Sequence, residues 1–452
     1  MKKTKILATV GPSCDSKNIL SKMISSGMDA IRLNTAHGNI EEYEKIIRIV
    51  RSIKDLPIIF DLKGPEIRIN SDKEYYIMKG ESVKIGFDKS YNLHFNHRFD
   101  VPKSHVMLIN DGLLKLKVKS PNKKYLELIA EGDLSIKNRV RVNVPGLRYS
   151  MPILSRDDLK FLEYGKKKKI DYIALSYTRT SNDVKLARRA LGNSGIGIIA
   201  KIETLEGVKN FDAILEAADG IMVARGDLGV EIPSESLPMI QKELIKKCNQ
   251  AGKFVITATQ MLQSMIENPV PTRAETSDVA NAILDGTDVL MLSGETAVGK
   301  YPALAVKEMT NIALETEPHV ESFVHNAGSK TISMAISKSI KDLTEMLPIT
   351  KVITLTRLGY TAKIISRFRL KQDIIAITPY VSVKKKLDLY YGLIPIVFPD
   401  LPTDKRIYEG TKYLFRKKLI SKKDMILYTA GVFPAKSGST NLIEIHYAKE
   451  MI

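Results

Sequence analysis

The 452-residue sequence has no tryptophan and only two cysteines, Cys14 and Cys248. The two are far apart and neither sits in a CxxC pair. That argues against a disulfide framework or a thiolate zinc site, and it fits a reducing cytoplasm. No apolar run reaches the length that spans a bilayer. The opening MKKTKILATVGPSC imitates a secretory signal, but its apolar stretch at 6–10 is too short and Gly11-Pro12 breaks it, so it reads as a first β-strand. Zinc-finger spacing and RNP-like aromatic segments are also missing. The net charge of +18 therefore reads as a lysine-rich solvated surface, with runs at 166–169 and 384–386. By itself it adds little support for anionic ligands.

The apolar share is 44% and the charged share 27%, as in globular proteins. The length allows about two to four domains. Eight short β-like runs are present: KILATVG, AIRLNT, PIIFDLKG, DYIALSY, GIIAKIET, GIMVARGD, FVITATQ and VLMLSGET. Amphipathic stretches lie between most of them, for example at 18–26, 41–53 and 211–217. The alternation predicts an α/β fold with a parallel sheet, and eight runs fit a (β/α)8 TIM barrel. Between about 70 and 149 the pattern gives way to short strand-like pieces (VKIGFD, VMLINDGLLKLKV, YLELIAEGD), which predict an inserted small β-barrel lid domain. A helix at 331–347 and the strands KVITLT, DIIAIT, LIPIVF and DMILYTAG predict a C-terminal α/β domain. The expected boundaries are 1–69 and 150–325 for the barrel, 70–149 for the lid and 326–452 for the last domain. No internal repeat or low-complexity segment is present.

Barrel enzymes carry their chemistry at the carboxyl ends of the strands. Polar residues collect there: Arg32 and Asn34, Asp61 and Lys63, Ser176, Lys201 and Glu203, Arg225 and Asp227, Thr259, Ser293 and Glu295. Lys201 and Glu203 are two apart on an extended run and share a face. Glu203 and Asp227 end adjacent runs and offer hard oxygen ligands for Mg²⁺ or Mn²⁺, or else ion-pair partners for Lys201 and Arg225. Lys201 can stabilise negative charge on a reacting oxygen, or form a plain salt bridge to Glu203. The Gly226–Gly229 segment reads as a turn whose N–H groups could hold a carboxylate or phosphate; its embedded RGD follows an apolar strand and is no integrin ligand. Arg32 and Arg68 are placed as phosphate clamps. His37 lies in a loop with or without a role, and the Thr259 and Ser293 hydroxyls could bind a carboxylate, relay a proton through water or simply cap strand ends. The set suits a small anionic substrate, with either phosphoryl transfer or enolate chemistry.

At these residues the sequence resembles the pyruvate kinase family. The carriers are TKILATVGPS, GMDAIRLNTAHG, FDLKGPEIR, AKIETLEG, GIMVARGDLGVEIP, ITATQMLQSMIENPVPTRAETSDVANAILDGTDVLMLSGETAVGKYP and TAGVFPAKSGSTN, across nearly the whole chain. The resemblance implies phosphoryl transfer from phosphoenolpyruvate to ADP, giving pyruvate and ATP in the last step of glycolysis. It also implies a barrel, a lid after the third strand, a C-terminal α/β domain and a cytoplasmic homotetramer, with no nucleic-acid or membrane partner. It makes Lys201 the stabiliser of the enolate and phosphoryl charge, and Glu203 and Asp227 the Mg²⁺ (or Mn²⁺) ligands. Gly226 and Asp227 N–H groups, the Thr259 hydroxyl and Ser176 would bind substrate. Thr259 and Ser293 would relay the proton. Arg32 would hold the substrate phosphate, and Asn34, His37 and Arg68 would lie by the nucleotide.

Three stretches depart from the family pattern. In its K⁺ site Asn34 and Asp61 remain, but Ala36 replaces a serine and Leu62, offering only its carbonyl, replaces a threonine. Glu66 keeps the acidic type of K⁺-requiring members, so the signals conflict; weak or absent K⁺ activation is expected. The lid-hinge block reads MPILSRDD, so the family's nucleotide-side lysine falls on Asp157, with Arg156 before it. The fructose 1,6-bisphosphate loop reads TRLGYTA at 356–362, where Leu358 and Tyr360 replace loop residues, and no activation by that effector is expected. The sequence also opens on the first barrel strand, without the extra N-terminal helical segment of longer relatives. Two rival readings are a metal-dependent aldolase or lyase acting on pyruvate or oxaloacetate, and a catalytically idle basic protein that binds nucleic acid or another anion. The intact Lys201, Glu203, Asp227 and Thr259 set speaks against the second.

Overall fold

A computed structural model describes residues 2–109, 112, 114–147, 151–322, 331–431 and 440–452. The eight apolar runs are its eight barrel strands: β1 (Lys5–Thr9), β2 (Ala30–Asn34), β3 (Ile58–Asp61), β4 (Tyr172–Leu175), β5 (Gly197–Ile202), β6 (Gly220–Ala224), β7 (Phe254–Ala258) and β8 (Val289–Leu292). Each pairs in parallel with the next, and β8 closes onto β1 with Lys5 beside Val289. The strands are apolar on both faces because both are covered. In β5, Ile198, Ala200 and Ile202 pack outward with the helix-side core. Ile199 points inward with Leu7, Ala30, Ile59, Met222 and Ile256. The period of two then puts Lys201 on the inward face one step further up, where the apolar filling stops.

The surrounding helices follow their sequence signals. Helix Ile40–Ile53 is capped by Asn39, whose side chain accepts the Glu42 N–H, and it buries Tyr43, Ile46, Ile47 and Val50. Helix Arg156–Lys168 begins with a reciprocal capping box between Ser155 and Asp158. Each such cap is worth about 1 kcal/mol.

After β3 the chain turns at Gly64, whose φ of +68° favours glycine, and where a Cβ would meet Ser176 at 3.0 Å. It then enters a closed seven-stranded barrel. The strand order is Tyr125–Ala130, Ser82–Gly86, Leu93–Phe95, Ile67–Ser71, Val140–Asn143, Val106–Ile109 and Leu114–Pro121. Its first strand, Ile67–Ser71, spans the expected limit at 69/70. The expected limits at 149/150 and 325/326 fall outside the described residues.

The C-terminal domain is a five-stranded sheet in the order Leu393–Val397, Asp373–Thr378, Lys351–Leu355, Met425–Ala430 and Leu442–Tyr447. Four of these strands match the sequence reading; the antiparallel edge strand Leu442–Tyr447 is an addition. This domain seals the base of the TIM barrel. Phe254 at the start of β7 lies edge-on between Tyr172 and Tyr390, with both centroid distances 5.3 Å. Beside it, the buried Arg369 donates to Asp288 at 2.9 Å, to Asn249 at 2.7 Å and to the Gly286 carbonyl. Among the described residues no helix is long and apolar enough to cross a membrane.

Candidate active site

The inward face of β5 ends in Lys201, and its ammonium is the centre of a buried cluster. Nζ lies 2.8 Å from Glu203 Oε1 and 3.2 Å from Asp61 Oδ1, and it donates to Ser176 Oγ at 2.8 Å. Asp61 Oδ2 accepts from Arg32 Nε at 2.7 Å, and Arg32 also donates to Thr9 Oγ1 at 2.9 Å. The ends of β1, β2, β3, β4 and β5 thus deliver one connected set of charges. Burial alone would lower the lysine pKa, but Asp61 and Glu203 outweigh it and hold Lys201 charged. Burial likewise works against the Asp61 carboxylate, and Lys201 and Arg32 bring its pKa below the ordinary value.

Glu203 and Asp227, which the sequence reading puts at the ends of adjacent strands, lie close enough for each to act on the other's charge. Burial pushes Glu203 up to about 7, partly opposed by Lys201. Asp227 is held below its ordinary range: burial acts upward, but Arg141 and Lys201 outweigh it. The two carboxylates lie in one enclosed corner, each with a cationic partner, Lys201 for Glu203 and Arg141 for Asp227, and their hard oxygens are of the type that suits a divalent ion. Among the described residues no cluster of three or more His, Cys, Asp or Glu groups is arranged as a metal site; a metal held by two protein carboxylates alone would take its other ligands from substrate and water.

Two residues that the sequence reading did not single out complete this corner. Tyr177 follows Ser176 with φ 55° and donates its backbone N–H to Glu203 Oε2 at 2.5 Å. Arg141, from the second barrel, places NH1 2.6 Å from Asp227 Oδ1. Its guanidinium bonds the Tyr177 hydroxyl and lies 5.4 Å from the ring centroid. No sequence motif signals Arg141, because only the placement of one barrel over the other brings it in.

The Gly226–Gly229 segment is not a turn: it opens a short helix, Arg225–Glu231, directly after β6. Gly226 N–H donates to Thr259 Oγ1 at 2.8 Å, and Thr259 has φ 67°. Arg225 turns away, to Asp278 at 2.7 Å and the Thr259 carbonyl at 2.8 Å. Glu295 is likewise spent on backbone, accepting from Ser293 N–H at 2.7 Å and Leu262 N–H at 3.1 Å. The Ser293 hydroxyl is buried without a hydrogen-bond partner.

Ser293 also borders an adjoining cleft of about 600 Å³, with Pro12, Arg32, Asn34, His37 and Tyr43. Arg68 does not line this cleft. It lies in the second barrel and binds Glu66 at 2.9 Å and the Arg139 carbonyl at 2.8 Å. The hinge position Asp157 is exposed and paired with Lys160 at 2.9 Å, so that side chain brings no positive charge.

The expected K⁺ donors all have protein partners. Asn34 Oδ1 accepts from Ala36 N–H at 3.3 Å, the Leu62 carbonyl accepts from Ser176 Oγ at 2.7 Å, and Asp61 is engaged as above. In the C-terminal loop, Thr356 Oγ1 accepts from Gly359 N–H at 2.9 Å, and Thr361 bonds Thr440 at 2.7 Å. The VFPAKSGS part of the TAGVFPAKSGSTN motif, 432–439, lies outside the described residues.

Comparison with known proteins agrees with this geometry. Residues 1–306 match the family described as "Pyruvate kinase, barrel domain" and residues 334–446 match "Pyruvate kinase, alpha/beta domain". The chain is 40% identical to the pyruvate kinase of Staphylococcus saprophyticus, over 99% of this chain and 80% of that one. It is also 40% identical to that of Geobacillus stearothermophilus, over 100% of this chain and 81% of that one. A crystal structure of a pyruvate kinase from Cryptosporidium parvum superposes with a TM-score of 0.92 at 34% identity, covering 99% of this chain and 96% of that chain. The chain belongs to the pyruvate kinase family, and its reaction is the transfer of the phosphoryl group of phosphoenolpyruvate to ADP, which yields pyruvate and ATP in glycolysis.

Proposed function

We propose that this reaction runs at the mouth of the TIM barrel around Lys201, with phosphoenolpyruvate over the Lys201–Thr259 corner and ADP in the cleft bordered by Arg32 and His37. The observation that carries this is the position of Lys201 Nζ: an ammonium at the barrel mouth, kept charged by Asp61 and Glu203 and bonded to the Ser176 hydroxyl.

Glu203 and Asp227 would hold Mg²⁺ or Mn²⁺, which when bound neutralises charge on the phosphoryl and enolate oxygens. Lys201 offsets the negative charge that grows on those oxygens as the phosphoryl group leaves. Asp61 keeps Arg32 aimed inward, and Arg32 binds the substrate phosphate as a preorganised fork. Thr259 and the Gly226 N–H already bond each other and can turn together to a substrate carboxylate. Ser176 holds the lysine from the side. Ser293 and Thr259 would pass a proton to the enolate carbon through water, a reading supported by the buried Ser293 hydroxyl having no hydrogen-bond partner. His37 and Asn34 border the nucleotide side; Arg68, held by Glu66, would reach it only by moving.

The three K⁺-type donors that remain, Asn34, Asp61 and the Leu62 carbonyl, already have partners within the chain, which supports weak or absent K⁺ activation. A cytoplasmic homotetramer is the assembly we expect from the family.

The test is pyruvate formation from phosphoenolpyruvate, ADP and Mg²⁺ by the full chain and by Lys201→Met. Turnover that disappears in the variant supports the assignment. Loss of ADP dependence would instead favour a lyase acting on a related enolate.

A further inference from the structure

Arg141 stands where the reaction described above does not need it. It lies on strand Val140–Asn143 of the second barrel, yet its side chain crosses to the TIM barrel and ends on Asp227, with NH1 to Oδ1 at 2.6 Å. The contact is mostly enclosed, with 23% of the arginine side chain and 22% of the aspartate side chain exposed. The guanidinium also bonds the Tyr177 hydroxyl and lies over its ring, and Tyr177 in turn gives its N–H to Glu203. One arginine therefore touches one of the two carboxylates directly and reaches the other through Tyr177.

Charge counting explains the arrangement. Asp61, Glu203 and Asp227 face Lys201, Arg32 and Arg141. A divalent ion would add two positive charges to a set that is already balanced, against the Coulomb repulsion of a cation already seated on the same carboxylate.

We propose that Arg141 is a lid-borne stand-in for the metal: it occupies Asp227 while no metal is present and must leave that oxygen for the metal to bind, so that metal loading and this lid contact exclude each other. Arg141 is thus a positioning residue that acts through Asp227. The proposal rests on Glu203 and Asp227 being the metal ligands. A ligand that binds only the arginine-free form has its apparent affinity lowered by the fraction of molecules in that form.

The experiment is a titration of the substrate-free full chain with Mn²⁺, reading free Mn²⁺ by electron paramagnetic resonance. Arg141→Gln is expected to bind Mn²⁺ on the order of tenfold more tightly than the parent. Unchanged or weaker binding would overturn the proposal. Asp227→Asn, run alongside, checks the ligand assignment: it should lose binding. If it binds as the parent does, the assignment itself fails and takes the proposal with it; loss there with no gain in Arg141→Gln sinks the proposal alone. A second measurement needs no variant. Amide exchange across Val140–Asn143 should speed up in the parent when Mn²⁺ is added, and exchange that stays the same or slows would count against the exclusion.

Discussion

Tyr177 holds Glu203 from a left-handed backbone: with φ 55°, its N–H points at Oε2 from 2.5 Å while Lys201 takes Oε1 from 2.8 Å. A bulky residue in that conformation costs about 1 kcal/mol or more. The bond it allows fixes one carboxylate oxygen and leaves the direction of the other to the lysine.

Lys201→Met should therefore act in two ways. Removing the ammonium takes away stabilisation of the reacting oxygens, and kcat should fall by about 10³-fold or more. It also leaves Glu203 without its cation in a buried site, while Asp61 keeps Arg32, which should cost about 3–5 kcal/mol in the metal-free protein. Pyruvate assays and melting curves with and without Mg²⁺ separate the effects: added metal should restore much of the melting temperature but none of the activity.

A second carboxylate sets a pH dependence of stability. Burial pushes Glu231 up from 4.5 to about 7, partly opposed by the N–H groups of Gly146 and Leu205 and by Arg141. Between those values the folded protein holds a proton that the unfolded chain releases. Stability from this group is full below pH 4.5 and is lost as pH rises through 7. Glu231→Gln should flatten the drop in melting temperature between pH 5 and pH 8. An identical drop in parent and variant would remove Glu231 as its source.

Potassium should matter little. Replacing tetramethylammonium by K⁺ is expected to change the rate of pyruvate formation by only a small factor, because Asn34, Asp61 and the Leu62 carbonyl are already engaged. Ala36→Ser, which returns a hydroxyl beside Asn34, should enlarge the response. A strong requirement in the parent would show that these groups exchange partners readily.

Fructose 1,6-bisphosphate should leave the half-saturating phosphoenolpyruvate concentration unchanged. The hydroxyls of Thr356 and Thr361 are bonded within the domain, and Leu358, 58% exposed, offers no donor. A large drop in that concentration on adding the effector would contradict this.

The eight barrel strands were legible because a doubly covered parallel strand must be apolar throughout, and Lys201 and Glu203 stood out as charges breaking that rule on one face. Other features left weaker marks. The edge strand Leu442–Tyr447 is only half-buried, so it shows no apolar run. The helix Arg225–Glu231 contains Gly226 and Gly229, poor helix formers, and forms where Leu228 is buried against its surroundings. Arg141 sits in an alternating strand like any exposed arginine, and only the closed second barrel turns it onto Asp227.

Phe254, wedged between Tyr172 and Tyr390, has a genetic consequence. The filling of the TIM barrel and the core of the C-terminal domain are one continuous apolar body, riveted by Arg369 and Asp288. A gene cut ahead of residue 331 would not release a minimal enzyme: it would leave a barrel with an oily, open floor and an unpaired Asp288. The terminal domain is a foundation plate, and a truncated product should be recovered as aggregate, however complete its catalytic rim.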